Sequence, residues 1–306
     1  MGRPEKSGVR EMKPMVHSLY PIAETGGPQR LLGESSSKGS IRVQMGPRIC
    51  TVCGSESPHI RCHKRPDPNV ARECGGRTEV RKRRGGNRRR KGEFTTVPIS
   101  SIMEVKRRSL GLDKLPSKIK AVKGLVSIGQ SPEPLEKGIL RAKHGVSVFR
   151  DGTSRYYMID VPVTHFKPIE IGTSWETLVG LGYTHDIRGN RLSSDTQMLE
   201  LLPQDFIPSI RSKAHLLATC GFVDELLIRF YGMEPFYNAS TEVDLVGSLA
   251  IGLAPHTSGG VLCRIIGWTS SSAGYAHPLF HAAKRRNCDG DEDSIMTVSY
   301  THLRAH

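Results

Sequence analysis

Between Asn287 and Met296 the chain reads NCDGDEDSIM, with aspartates at every second position, Asp289, Asp291 and Asp293, and Glu292 between the last two. No other stretch restricts the fold so strongly. In an extended or turning segment, side chains two apart project to the same side, so Asp289 and Asp291 converge on a region about 7 Å or less across. Carboxylates held that close repel unless a cation sits between them. Hard oxygen ligands on a short loop suit Mg²⁺, which takes one or two protein carboxylates and completes its shell with water and phosphate oxygens. An EF-hand loop starting at Asp289 is a poor fit, because Ser294 stands where that loop requires Gly and Tyr300 where it requires Glu. A second reading stays open: a solvated acidic turn neutralised by the adjacent Lys284, Arg285 and Arg286.

The rest of the composition says what kind of partner such a loop would serve. The chain has 306 residues, enough for two modest domains, and carries a net charge of +14. That excess favours a polyanion, nucleic acid first, since surface Lys and Arg gain affinity for phosphate by releasing counterions. No apolar run of about 18 residues and no signal peptide is visible, so a cytoplasmic protein with no membrane partner is expected.

Seven cysteines are present, and four of them, Cys50, Cys53, Cys62 and Cys74, crowd one segment. Clustering of this kind suggests metal more than a disulfide framework. Cys50-x-x-Cys53 is half of a zinc ribbon, and four thiolates bind Zn²⁺ tetrahedrally, stabilising a loop too small to have its own core. Directly after it, Arg81 to Gly92 packs eight basic residues into twelve positions, a solvated run suited to duplex backbone.

Local patterns place these features on elements. VHSLYPI (Val16 to Ile22) reads as a strand. Ser101 with Glu104 has the spacing of a capping box ahead of a helix that Gly111 ends. Asp151-Gly152 lies between strand-like runs in VSVFRDGTSRYYMIDV, a hairpin signal. Leu216, Cys220, Val223, Leu227 and Phe230 mark the buried face of a helix from about Lys213 to Tyr231, stopped by Gly232. A shorter helix is expected from Ser240, and a strand over Val261 to Thr269. Pro278 opens a helix whose C-terminal end carries Lys284 to Arg286, so the acidic motif falls on the turn leaving that helix. His277 and His281 are four apart, but without an HExxH pattern they read as packing or substrate contacts.

Thr219 to Asp293, with the phrases GLAPHTSGG and AHPLFHAAKRRNCDGDED, closely resembles the catalytic region of the large subunit of archaeal family D DNA polymerases. PLEKGILRAKHGV (Pro134 to Val146), VPVTHFKPIEIGTS (Val161 to Ser174) and the opening GRPEK (Gly2 to Lys6) resemble it too. The resemblance implies an α+β, multidomain chain: a polymerase core of double-psi β-barrels, incomplete here, with a small zinc-ribbon module and helical insertions. It implies that the Asn-x-Asp-x-Asp motif carries the metals, with Asp289 and Asp291 ligating Mg²⁺ in a two-metal arrangement and Asn287 ordering the loop. Lys284, Arg285, Arg286, Lys6 and His256 become candidates for nucleotide or DNA contact. The reaction implied is DNA-directed DNA synthesis, attack of a primer 3′-hydroxyl on the α-phosphate of a dNTP, on a primer-template. A small proofreading subunit and a sliding clamp are the implied protein partners, with a 3′-to-5′ exonuclease activity attached to the complex. Two other readings stay open, a non-catalytic zinc-ribbon nucleic-acid-binding protein and an RNA-synthesising relative.

Where the family has two CxxC knuckles, Cys62 and Cys74 are here separated by eleven residues. Either an insertion has lengthened the second knuckle, or His59 or His63 replaces a cysteine. After Met296 the resemblance stops, and TVSYTHLRAH reads like a translated sequencing adapter. The expected division is 1–45 as the end of a preceding barrel and linker, 46–80 as the zinc ribbon and 81–93 as a basic linker. A helical connector over 94–145, the truncated catalytic barrel over 146–296 and an artefactual tail over 297–306 complete it. Such an internal fragment is expected to be inactive alone and to expose barrel strand edges.

Overall fold

The computed structural model describes residues 7–45, 48–57, 62, 74–80, 93–125, 131–254, 259–287 and 289–297. They form two compact units, one of residues 1–10, 151–228 and 233–306, the other of residues 11–150 and 229–232. Among the described residues no helix is long and apolar enough to cross a membrane.

The first unit is a barrel. Its strands are β1 (Gly8–Val9), β2 (Tyr156–Pro162), β3 (Asp205–Ile207), β4 (Leu249–Leu253), β5 (Val261–Ile265), β6 (Ala273–Ala276) and β7 (Glu292–Thr297). Six of them close in the order β2, β6, β3, β5, β4, β7 and back to β2, while β1 pairs with the first two residues of β2. Two neighbouring pairs are parallel, β2 with β6 and β3 with β5. The remaining contacts around the ring are antiparallel. Closure depends on β7, which pairs with β4 from Ser294 to Thr297 on one side and with β2 from Glu292 to Ile295 on the other. The expectation of open strand edges is therefore corrected for this barrel, because the residues just after the acidic motif supply the closing strand. Thr297, assigned from sequence to the artefactual tail, is buried in that strand opposite Ala250.

Strand alternation fills the interior. On β2, Tyr156, Met158 and Asp160 are buried while Tyr157, Ile159 and Val161 are half-buried, the period of two expected for one face turned inward. Tyr156 and Met158 join Phe206, Ala250, Cys263, Ile265, Ala276 and Ile295 in one core. Helix α1 (Lys213–Leu226) seals it with Leu216 and Cys220, then loosens into a π-turn over Leu227–Tyr231 before Gly232. A second core, including Phe166, Leu178, Tyr183 and Ile266, belongs to the insertion between β2 and β3 and its surroundings.

Among its described residues the second unit contains three small strand pairs and three helices. Ser18–Pro21 pairs with Ala121–Val122, Ile41–Met45 with Glu93–Val97, and Arg48–Cys50 with Thr78–Val80. The helices are Leu32–Ser37, Ile99–Ser109 and Leu135–His144. Buried charges here are paired: Lys106 with Glu136 at 3.0 Å and Arg141 with Glu133 at 2.8 Å.

Three local expectations are overturned. Asp151-Gly152 does make a turn, with Asp151 Oδ1 accepting from the Thr153 amide at 3.0 Å, but no hairpin forms across it. The flanking runs belong to different units, and the Val148 amide donates instead to the Val16 carbonyl at 2.9 Å. Glu104 turns to Arg107 and Arg108, and the Ser101 hydroxyl donates to the Pro98 carbonyl, so the capping-box spacing is not used. The helix expected from Ser240 is a single 3₁₀ turn, Val243–Leu245, because Asp244 Oδ2 accepts the amides of Ser240 and Thr241.

Candidate metal centres

Helix α2 (Pro278–Ala283) delivers the acidic loop to one end of the barrel. Proline fits its first position, where no amide partner is needed. His277 caps it by accepting the Leu279 amide on Nδ1 at 3.1 Å. The chain then turns through Arg285, at φ +61°, and through Gly290, at φ +78°, before entering β7. Gly290 is the residue that allows Asp289 and Asp291 to flank a tight turn, since a side chain disfavours that left-handed conformation.

The loop's charges separate into two layers. Asp289 and Asn287 are exposed, and Asp291 is half-buried with Arg286 Nη1 at 3.5 Å from its Oδ2. Below them, Asp293 is buried and forms an ion pair with Lys284, whose ammonium also lies 4.6 Å from the centre of the Phe280 ring. Lys284 thus turns inward, away from the phosphate-holding role expected of it. Its position one turn after the buried Phe280 puts it on the core side of the helix. Arg285 remains exposed. Glu292 meets Arg10 at 3.0 Å, 282 residues away in sequence.

The Lys284–Asp293 pair has a measurable signature. Breaking a buried pair by removing one partner leaves an uncompensated charge, so Lys284→Met is expected to destabilise the chain by about 3–5 kcal/mol. Lys284→Met combined with Asp293→Leu should recover most of that loss. Urea unfolding of the two variants checks this, and equal midpoints for Lys284→Met and the parent would contradict the buried pairing.

Asp160, on β2, was not singled out from sequence. Its amide donates to the Asp291 carbonyl at 3.0 Å, tying the barrel wall to the loop. Its side chain is buried, and among the described residues neither carboxylate oxygen has a hydrogen-bond partner. Burial pushes its pKa up, Arg286 and Lys284 partly offset that, and Asp289 adds to the rise. Next to it, burial and then Lys284 lower the His281 pKa to about 4, so the ring is neutral at pH 7. The alternation in YYMIDVP did hold a signal, an acid on the same face as Tyr156 and Met158. Nothing in the sequence ties that strand to the loop.

The second cluster is in the other unit. The Sγ atoms of Cys50, Cys53, Cys62 and Cys74 all lie within 4.8 Å of one another. Cys50 to Cys74 is 3.7 Å and Cys53 to Cys62 is 3.6 Å. A tetrahedral zinc site with bonds of about 2.3 Å has sulfur–sulfur edges of about 3.8 Å, so the thiols match that ion. The strand pair Arg48–Cys50 and Thr78–Val80 holds one side. Cys62 is fixed by two backbone bonds, its amide to the Gly76 carbonyl at 2.8 Å and the Gly75 amide to its own carbonyl at 2.9 Å. Gly76 must be glycine here, since a Cβ would lie 2.7 Å from Cys50 Sγ. The Ser55 hydroxyl and amide, hydrogen-bonded to Cys53, lower its pKa to about 6, favouring the thiolate. Four cysteines converge across the eleven-residue spacing, which favours an insertion over histidine replacement; His59 and His63 lie outside the described residues. So do Lys6, His256 and the basic run 81–92.

A family model described as DNA polymerase II large subunit DP2, catalytic domain, matches residues 112–303, and one for the central domain of the same subunit matches residues 1–83. The DNA polymerase II large subunit of Methanocella arvoryzae is 47% identical over 315 residues, covering 97% of this chain and 27% of that protein. The subunit of Archaeoglobus fulgidus is 44% identical over 322 residues, with 97% and 27% covered. That of Methanothermobacter thermautotrophicus is 45% identical over 298 residues, with 97% and 26% covered. The chain spans about a quarter of the length of the curated relatives it matches.

Proposed function

Because this chain belongs to the DNA polymerase II large-subunit family, we propose that its barrel carries the nucleotidyl-transfer centre of a DNA-directed DNA polymerase. The observation that carries the reading is the acidic loop: Asp289 and Asp291 beside one glycine turn, at the end of a closed barrel, within the segment that the catalytic-domain family model matches. The reaction is attack of a primer 3′-hydroxyl on the α-phosphate of a dNTP, with pyrophosphate leaving.

Asp289 and Asp291 are the residues that would hold Mg²⁺, and the donor set fits: hard carboxylate oxygens, with two further ones on the neighbouring Asp160 that have no hydrogen-bond partner among the described residues. When bound, such an ion neutralises charge on the transferring phosphate and lowers the pKa of the attacking hydroxyl. In the same loop, Arg286 braces Asp291, Arg285 and Asn287 are exposed to solvent, and Lys284 keeps Asp293 from repelling the rest of the loop. The cysteine cluster holds structural Zn²⁺, the sulfur distances being the support.

We read the six-stranded barrel as double-psi in topology. A closed ring holding two parallel pairs among its antiparallel ones supports this. The small proofreading subunit and the sliding clamp are proposed partners of the complete protein, by family analogy.

The test is primer extension by the complete large subunit with its small partner. Mg²⁺-dependent incorporation of dNTPs, and little of ribonucleotides, is expected. Failure to extend a primer under any divalent cation would refute the reading, and preferential use of ribonucleotides would move it to RNA synthesis.

A further inference from the structure

Two acids on the barrel wall, Asp205 and Asp160, are fully buried, each with a side-chain exposure of 0%. Asp205 is satisfied. Arg264 Nε lies 2.9 Å from its Oδ1, Arg264 Nη2 lies 2.8 Å from its Oδ2, and the Tyr183 hydroxyl donates to Oδ2 at 2.6 Å. Among the described residues Asp160 has no equivalent, and both of its oxygens lack a hydrogen-bond partner there.

The neighbouring His281 ring does not repair this. His281 Nδ1 lies 3.6 Å from Asp160 Oδ2. The same ring puts Nε2 at 3.3 Å from the Val161 carbonyl, which can only accept, so the ring's proton belongs on Nε2. A neutral ring then turns a lone pair toward the carboxylate. The neighbouring cations are held by other acids: Lys284 pairs with Asp293, and Arg286 leans on Asp291. A buried carboxylate left in this condition is costly, and such orphaned groups persist where an ion, a proton or function requires them. Through its amide Asp160 is one hydrogen bond from the main chain of Asp291, next to the pairing of Ile159 with Glu292.

We infer that Asp160 is a third carboxylate of the metal centre, serving the same divalent cation as Asp289 and Asp291 either as a ligand or through one bridging water. This rests on reading the acidic loop as a metal centre. It goes further by recruiting a strand 129 positions upstream of Asp289, which carries an acid buried with no hydrogen-bond partner among the described residues. The alternative is a protonated Asp160 that donates to His281 Nδ1 and never meets the ion.

Mn²⁺ binding to the full-length large subunit, followed by electron paramagnetic resonance, separates these. The relevant site is the one that disappears in Asp289→Asn. In Asp160→Asn, which keeps shape and removes charge, that site should weaken about 10- to 100-fold, the usual cost of losing an outer metal partner. Zinc content and DNA affinity should stay at the parent's level. Unchanged Mn²⁺ affinity in Asp160→Asn, with the site still lost in Asp289→Asn, overturns this inference alone. If Asp289→Asn binds Mn²⁺ as the parent does, the metal-centre reading falls as well. Should Asp160→Asn fail to fold, anomalous scattering from the Mn²⁺-loaded parent decides: an ion within direct or one-water reach of Asp160 supports the inference, and one farther away overturns it.

Discussion

Asp289→Asn or Asp291→Asn in the complete large subunit should lower nucleotide incorporation by about 10³-fold while leaving affinity for primer-template nearly unchanged. The magnitude follows from what a bound divalent cation contributes to transition-state charge stabilisation, of order 4 kcal/mol, with each 1.36 kcal/mol worth about a factor of ten. The selectivity follows from a separation of roles. Duplex affinity comes from Lys and Arg contacts to phosphate, so removing an aspartate leaves those contacts and their salt dependence in place. Asparagine preserves volume, Asp289 is exposed, and the Asp291 carbonyl still receives the Asp160 amide, so neither change should unfold the loop. Single-turnover extension together with a salt titration of DNA binding checks both halves. Incorporation within about tenfold of the parent in either variant would contradict the assignment, since the expected loss is of order 4 kcal/mol.

The second large effect concerns the cysteine cluster. About one zinc per chain should be found, and Cys62→Ser should release it, because one of four tetrahedral ligands is lost. Apparent binding energies of small zinc modules run to about 10–16 kcal/mol, which makes metal binding and local folding one event. The strand pair Arg48–Cys50 and Thr78–Val80 has only three residues on each side, too few to persist without the metal. Hydrogen exchange should therefore show amide protection lost in these strands after Cys62→Ser or chelation. The barrel amides, in a unit with its own core, should keep theirs. Less than about half an equivalent of zinc in the purified protein would sink the site, given the single ion that four thiolates require.

Several elements are legible in the sequence, and each has a local cause. Helix α1 follows from apolar periodicity, and the strand at Val261 from a continuous run of apolar and β-branched residues. The start of α2, and with it the placing of the acidic loop just after a helix, follows from Pro278, whose fixed φ and missing amide suit a first helical turn. Other signals were legible and misleading, because they report a preference that distant groups can outbid. Asp151-Gly152 makes its turn, yet no hairpin follows, since the runs on either side bond elsewhere. Ser101 and Glu104 have the spacing of a cap, yet Glu104 finds two arginines nearer than the helix end.

Chemistry that depends on residue type at short range was present in the linear chain. Alternating aspartates repel and call for a cation, and four thiols within 25 positions call for zinc. Tertiary structure decided which way the charges face. Lys284 and Arg285 are chain neighbours with the same charge, but the helix turns one onto Asp293 inside the barrel and leaves the other in solvent. Asp160 and Asp205 are both acids in short strands, and only folding gives Arg264 and Tyr183 to Asp205 while leaving Asp160 without a hydrogen-bond partner among the described residues. The reason is that electrostatic consequence depends on burial and on partners brought from far along the chain, neither of which a local pattern encodes.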